Sequence, residues 1–129
     1  MMLRLFLGFQ ALLFIPYGLY CLVNPAVLAG GAGVTASSIT GTIELQTMYG
    51  GLQTAVGVLC LLGAFRENLR STALTALLFI FSGLAVVRVS LGLVHGDFSA
   101  YNSFAMSFET ASLLFLIWVF TTGRVVPAS

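Results

Sequence analysis

Apolar positions fall into four long, unbroken stretches: residues 2–23, 43–65, 72–95 and 102–122. Asn24-Pro25 stops the first. The charged link Arg66-Glu67-Asn68-Leu69-Arg70 stops the second, Gly96-Asp97 the third and Gly123 the fourth. The second begins at Ser38 if that serine caps a helix, because its hydroxyl would accept from a first-turn amide. Each stretch is about 20–24 residues, close to the roughly 20 that span a ~30 Å hydrocarbon core. None alternates with period two, and inside lipid every backbone amide needs a partner within the fold. Helices are therefore predicted and isolated strands excluded. The pattern predicts an all-α fold, a four-helix transmembrane bundle running up-down-up-down, as one domain over residues 1–129.

Composition supports lipid as the solvent. Of the 129 residues, 59% are hydrophobic and only 7% charged, with a mean hydropathy of +1.06. Soluble domains carry about 25% charged residues. A soluble chain this short has too little interior to hide so much apolar surface. The net charge of +1 provides no field to recruit nucleic acid. The expected partner is the bilayer, with a second copy or another membrane protein as further expectations and no nucleic acid. Cys21 and Cys60 fall near opposite ends of neighbouring spans, roughly 15–20 Å apart at 1.5 Å per residue. That is too far for a disulfide, and both read as packing residues.

Arginine placement sets the expected orientation. Arg4 precedes the first span, Arg66 and Arg70 sit in the second link, and Arg124 follows the fourth span. The first and third links contain no Lys or Arg. The positive-inside rule then places both termini in the cytoplasm of a multi-pass protein of the inner (plasma) membrane. The rival for the first span is a signal peptide, with Arg4 as n-region, residues 5–15 as h-region and Val27-Leu28-Ala29 as cleavage pattern. The apolar run continues past Pro16 to Val23, longer than a usual h-region, so a retained span is expected. Residues 24–42 are rich in Gly, Ala, Ser and Thr. They fit a flexible link, a re-entrant loop or a short surface helix equally well.

Three ionisable residues fall inside predicted spans: Glu44, Arg88 and Glu109. A charge at a helix centre costs roughly 2.5–3.5 kcal/mol on insertion scales, so each needs a reason. All three are expected in the outer half of the bilayer, with Arg88 about 10 Å in from the end of its span. Two carboxylates and one guanidinium form a partly neutralised cluster, in which Arg88 is bidentate to one carboxylate. Either one carboxylate keeps a proton or a cation visits. Helical spacing gives every span one small and polar face. These faces carry Gln10, Tyr17, Tyr20 and Asn24; Glu44, Thr47, Gly51 and Thr54, with Gln46, Gly50, Gln53 and Gly57 beside them; Ala85, Arg88, Gly92 and His95; and Asn102, Ala105, Glu109 and Ser112. Leu45, Leu52, Val56 and Leu59 are expected to face lipid.

The candidate ligand-binding or proton-handling residues are thus Glu44, Arg88 and Glu109, with Tyr17, Tyr49 and His95 near them. Each has a plainer reading. Small and polar faces pack helices whatever the function, a Glu–Arg pair can be structural, and a histidine or aromatic residue at a span end is commonly interfacial. Gly92-x-x-x-Gly96 alone is a weak dimerisation signal. One histidine and two separated cysteines make neither a zinc site nor a bis-histidine haem site. Gly30-Gly31-Ala32-Gly33 lacks the Lys-Ser/Thr of a phosphate loop. His95 and Asp97 do not make a Ser-His-Asp set. No cofactor or metal is expected.

Glu44, Tyr49, Gly50 and Gly51 form a Glu-x(4)-Tyr-Gly-Gly start to the second span. Arg88 follows late in the third span, then a His95-Gly96-Asp97 turn, then Glu109 in the fourth. This arrangement resembles an uncharacterised family of small bacterial four-helix integral membrane proteins, a domain of unknown function distantly similar to the DoxX-like proteins. The resemblance covers nearly the whole chain and implies the fold without an activity. The family pattern has an Arg two residues after the Glu, where this chain has Gln46. The resemblance therefore points Glu44 towards Arg88.

The leading functional expectation is a membrane protein that binds or transports a small amphipathic or cationic ligand in a polar pocket of the outer half. One alternative is an accessory or scaffold subunit with the charges as packing glue. A second is a membrane-embedded isomerase-type enzyme in which a desolvated carboxylate moves a proton. The charge imbalance and the common depth of Glu44, Arg88 and Glu109 motivate the binding reading.

Overall fold

A computed structural model describes residues 1–125. The described residues are almost wholly helical, as the apolar pattern predicts. The helices are α1 (Met2–Val23), the short α2 (Val27–Gly31), α3 (Ile39–Phe65), α4 (Glu67–His95) and α5 (Ala100–Thr121). All but α2 are long and apolar enough to cross a membrane. The chain divides into two compact units, Met1–Arg70 and the part from Ser71 onward.

In the first unit α1 and α3 pack antiparallel along a seam of small residues. Gly57 lies beside Ile15, Gly18 beside Thr54, and Gly50 beside Leu22. The approach is close: a methyl group at Gly18 would stand 2.6 Å from the Thr54 backbone nitrogen, and one at Gly57 would stand 2.9 Å from that of Ile15. In lipid no hydrophobic force drives helices together, so such close van der Waals contact carries the association. The α1 polar face is only partly interior. Gln10 is buried, whereas Tyr17, Tyr20 and Asn24 are exposed.

Ser38 caps α3 by accepting from the Gly41 amide at 3.1 Å, so α3 starts at the earlier of the two expected positions. Residues 24–42 contain the short helix α2, one of the three forms open from sequence. Inside α3, Gln46–Leu52 winds as π-helix, a wider turn that the hydropathy pattern does not reveal. Of the residues expected to face lipid, Leu52 is exposed, and Leu45, Val56 and Leu59 are half-buried. Gln46 Nε2 donates to the Leu22 carbonyl at 2.7 Å. That carbonyl lies in the last turn of α1, where intrahelical donors run out.

α4 begins at Glu67 rather than near residue 72. Arg66 alone is extended, and most of the charged link forms the first helical turn. An acidic residue at that position suits the positive end of the helix dipole. Glu67 also accepts from Arg4 at 2.6 Å and from Arg70 at 3.4 Å, and Arg70 Nε reaches the Gly63 carbonyl at 3.3 Å.

In the second unit α4 and α5 run antiparallel. Arg88 faces Glu109, Gly92 faces Met106, and the Phe81 and Phe108 rings meet edge to face at 5.6 Å. Both helices end on a glycine with positive φ, Gly96 (64°) and Gly123 (66°). In each case the next amide bonds back to the carbonyl five residues earlier: Asp97 to Gly92 at 3.1 Å and Arg124 to Val119 at 3.2 Å. This is the Schellman arrangement. The Arg124 guanidinium lies 4.3 Å over the Trp118 ring.

Large apolar side chains remain exposed on every long helix, including Leu12 (70%), Phe79 (72%), Val94 (76%) and Phe104 (74%). Exposure on that scale is unfavourable in water and ordinary against lipid tails.

Candidate ligand site

The polar faces of α4 and α5 meet at an ion pair. Arg88 Nε donates to Glu109 Oε2 at 2.8 Å, and Arg88 Nη1 to Asn102 Oδ1 at 3.2 Å. Glu109 is buried, with only 7% of its side chain exposed, against 28% for Arg88. Ser112, one turn further along α5, is buried too. Arg88 is long enough to meet Glu109 while its guanidinium still reaches Asn102, so one cation bridges two positions on the opposite helix.

Asn102 extends the network to the turn between α4 and α5. Its Nδ2 donates to the Asp97 carbonyl at 2.9 Å, and its amide donates to Ser99 Oγ, the cap of α5, at 3.4 Å. The Ser99 amide in turn donates to Asp97 Oδ1 at 3.0 Å. The turn between α4 and α5 is thereby tied to the intramembrane ion pair. Beside this network runs a groove of about 520 Å³, within the range of small-molecule sites. Leu84, Val87 and Leu91 form its apolar side, and Arg88, His95, Asp97 and Asn102 its polar side.

Of the six candidate residues, Arg88 and Glu109 are brought together and His95 lines the same groove. Tyr17, Glu44 and Tyr49 belong to the first unit. Glu44 and Tyr17 are exposed, and Tyr49 is half-buried within the π-helical turn. Asp97 and Asn102 are site residues that the sequence reading did not select. The available signal was Ser99 as the α5 cap, which fixes Asn102 on the first turn facing back towards the loop.

Four helices long and apolar enough to span a bilayer define the chain as a membrane protein. The chain belongs to the DUF4345 family, a domain of unknown function whose sequence profile matches residues 2–120. No curated protein and no solved structure gives a significant match.

Proposed function

We propose that this is a multi-pass protein of a bacterial plasma membrane, with cytoplasmic termini, that binds a small amphipathic ligand in the α4–α5 groove. One observation carries the reading. The groove has an apolar side ending at a hydrogen-bonded Arg88–Glu109–Asn102 network and an exposed carboxylate, Asp97. An alkyl chain suits Leu84, Val87 and Leu91, and a cationic or polar head suits Asp97, His95 and Asn102. The positive-inside distribution of Arg4, Arg66, Arg70 and Arg124 supports an outer-face position for this end of the hairpin.

The test uses purified protein and a fluorescent long-chain alkylammonium probe. Val87→Trp fills the groove and leaves both residues of the ion pair in place, and since Val87 is 56% exposed the larger ring has room. Loss of probe binding in Val87→Trp, with binding kept in Glu44→Gln, supports the reading. Unchanged binding in Val87→Trp and in folded Arg88→Ala and Glu109→Gln overturns it.

A second reading, an accessory or scaffold subunit, is favoured by the burial of Glu109. A closed ion pair between two helices is also how a hairpin is held together in lipid. That reading expects Arg88→Ala to lower recovery of a stoichiometric protein partner while probe binding is absent throughout.

A further inference from the structure

We infer that the occupant of the α4–α5 groove is one chain of a zwitterionic glycerophospholipid, whose headgroup carries an ammonium beyond its phosphate. The inference rests on the binding reading above and narrows it to a lipid class.

The order of groups along the groove carries it. Gly83, Leu84 and Val87 line the end nearer the middle of α4. Arg88 comes next, about 10 Å in from the end of α4 at 1.5 Å per residue. His95 and Asp97 stand at the mouth. Moving outward, the groove therefore offers apolar surface, then a cation, then an anion. A zwitterionic phospholipid offers the complement in the same order: acyl chain, phosphate, ammonium. Asn102 links the two levels: it accepts from Arg88 Nη1 at 3.2 Å and donates to the Asp97 backbone carbonyl at 2.9 Å, in the turn that carries the Asp97 carboxylate.

Charge also argues against an anionic lipid. Arg88 is already paired with Glu109, so a headgroup carrying phosphate alone would add negative charge beside two carboxylates. The ammonium of a zwitterion answers Asp97. Access is lateral, since Val87 and Leu91, at 56% and 50% exposed, leave the apolar side open for a chain to enter from the surrounding lipid.

The test is native mass spectrometry of the full chain, delipidated in detergent and offered an equimolar mixture of palmitoyl-oleoyl phosphatidylethanolamine, phosphatidylcholine and phosphatidylglycerol. The wild type is expected to retain phosphatidylethanolamine and phosphatidylcholine over phosphatidylglycerol about fivefold, the size of one interfacial charge contact. Asp97→Asn keeps the oxygen that accepts from Ser99 and is expected to lose this preference. Val87→Trp is expected to lose retention of all three. Equal retention of the three lipids by wild type, with loss in Val87→Trp, overturns the headgroup assignment and leaves the amphipath groove standing. Preference for phosphatidylglycerol also overturns the assignment. Retention by Val87→Trp equal to wild type overturns the groove itself.

Discussion

Arg88 on α4 donates through Nε to Glu109 on α5 at 2.8 Å, and Glu109 keeps only 7% of its side chain exposed. Neither charge would be tolerated alone at that depth in lipid. Together with Asn102 they form a network in which the guanidinium is held from two sides. The pair joins the middle of the hairpin to its turn, and its arginine lines the groove.

Breaking the pair from one side should therefore cost more than removing it. Arg88→Met is expected to destabilise the protein by about 3–5 kcal/mol, because it leaves the buried Glu109 charge unanswered, and Glu109→Leu by less, because Arg88 is partly exposed and keeps its bond to Asn102. The double variant should recover most of that loss. Thermal unfolding in detergent, arranged as a double-mutant cycle, measures the coupling. Additive losses would show that the two side chains do not act as a pair.

The α1–α3 seam should be intolerant of added bulk. Gly18→Ala and Gly57→Ala each place a methyl group within 3 Å of the facing backbone. Overpacking of this kind costs about 1–3 kcal/mol. Gly8 lies on the same helix with nothing within 4 Å of a new methyl group. Gly8→Ala should be neutral or slightly stabilising, because alanine is the better helix former. Comparing melting temperatures of the three variants checks this directly.

Gln46→Leu removes the donor to the Leu22 carbonyl. Interhelical hydrogen bonds in membrane proteins average about 0.6 kcal/mol and reach about 1.7. A loss within that range is expected, accompanied by faster hydrogen exchange at the C-terminal end of α1. Gln46→Glu should be worse than Gln46→Leu, because a carboxylate brings negative charge against the carbonyl.

The sequence made the helices legible because hydropathy and length decide what can cross a bilayer. Gly96 and Gly123 marked two helix ends correctly, since a left-handed cap favours glycine. Ser38 marked a helix start for a comparably local reason. The π-helical turn at Gln46–Leu52 was invisible, because one extra residue per turn leaves the apolar content unchanged. The run Arg66-Glu67-Asn68-Leu69-Arg70 follows the end of α3 at Phe65, but from Glu67 on it is the first turn of α4 rather than a link, since charged residues also make good first turns. At the site, common depth and helical spacing brought Arg88 to Glu109. Asn102 appeared in the polar stripe but not as a partner of the guanidinium, because that contact depends on how the turn closes.

The glycine caps should also be costly to change. Gly96→Ala forces a side chain into the left-handed region, at about 1–2 kcal/mol. Gly96 precedes Asp97 and the capping bonds of Ser99, so the variant is expected to weaken probe binding as well as stability. Gly123→Ala should lower stability and leave probe binding unchanged. Parallel melting and binding curves separate the two.

The central proposal is a four-span protein whose polar groove opens at the outer face. Its most direct test is thiol labelling of intact cells with a membrane-impermeant maleimide. Cys21 and Cys60 are both buried and provide a quiet background. Asp97→Cys should label from outside, whereas Asn68→Cys and Thr122→Cys should label only after the membrane is opened. Labelling of Asn68→Cys from outside with Asp97→Cys protected would contradict the orientation and place the groove on the opposite side.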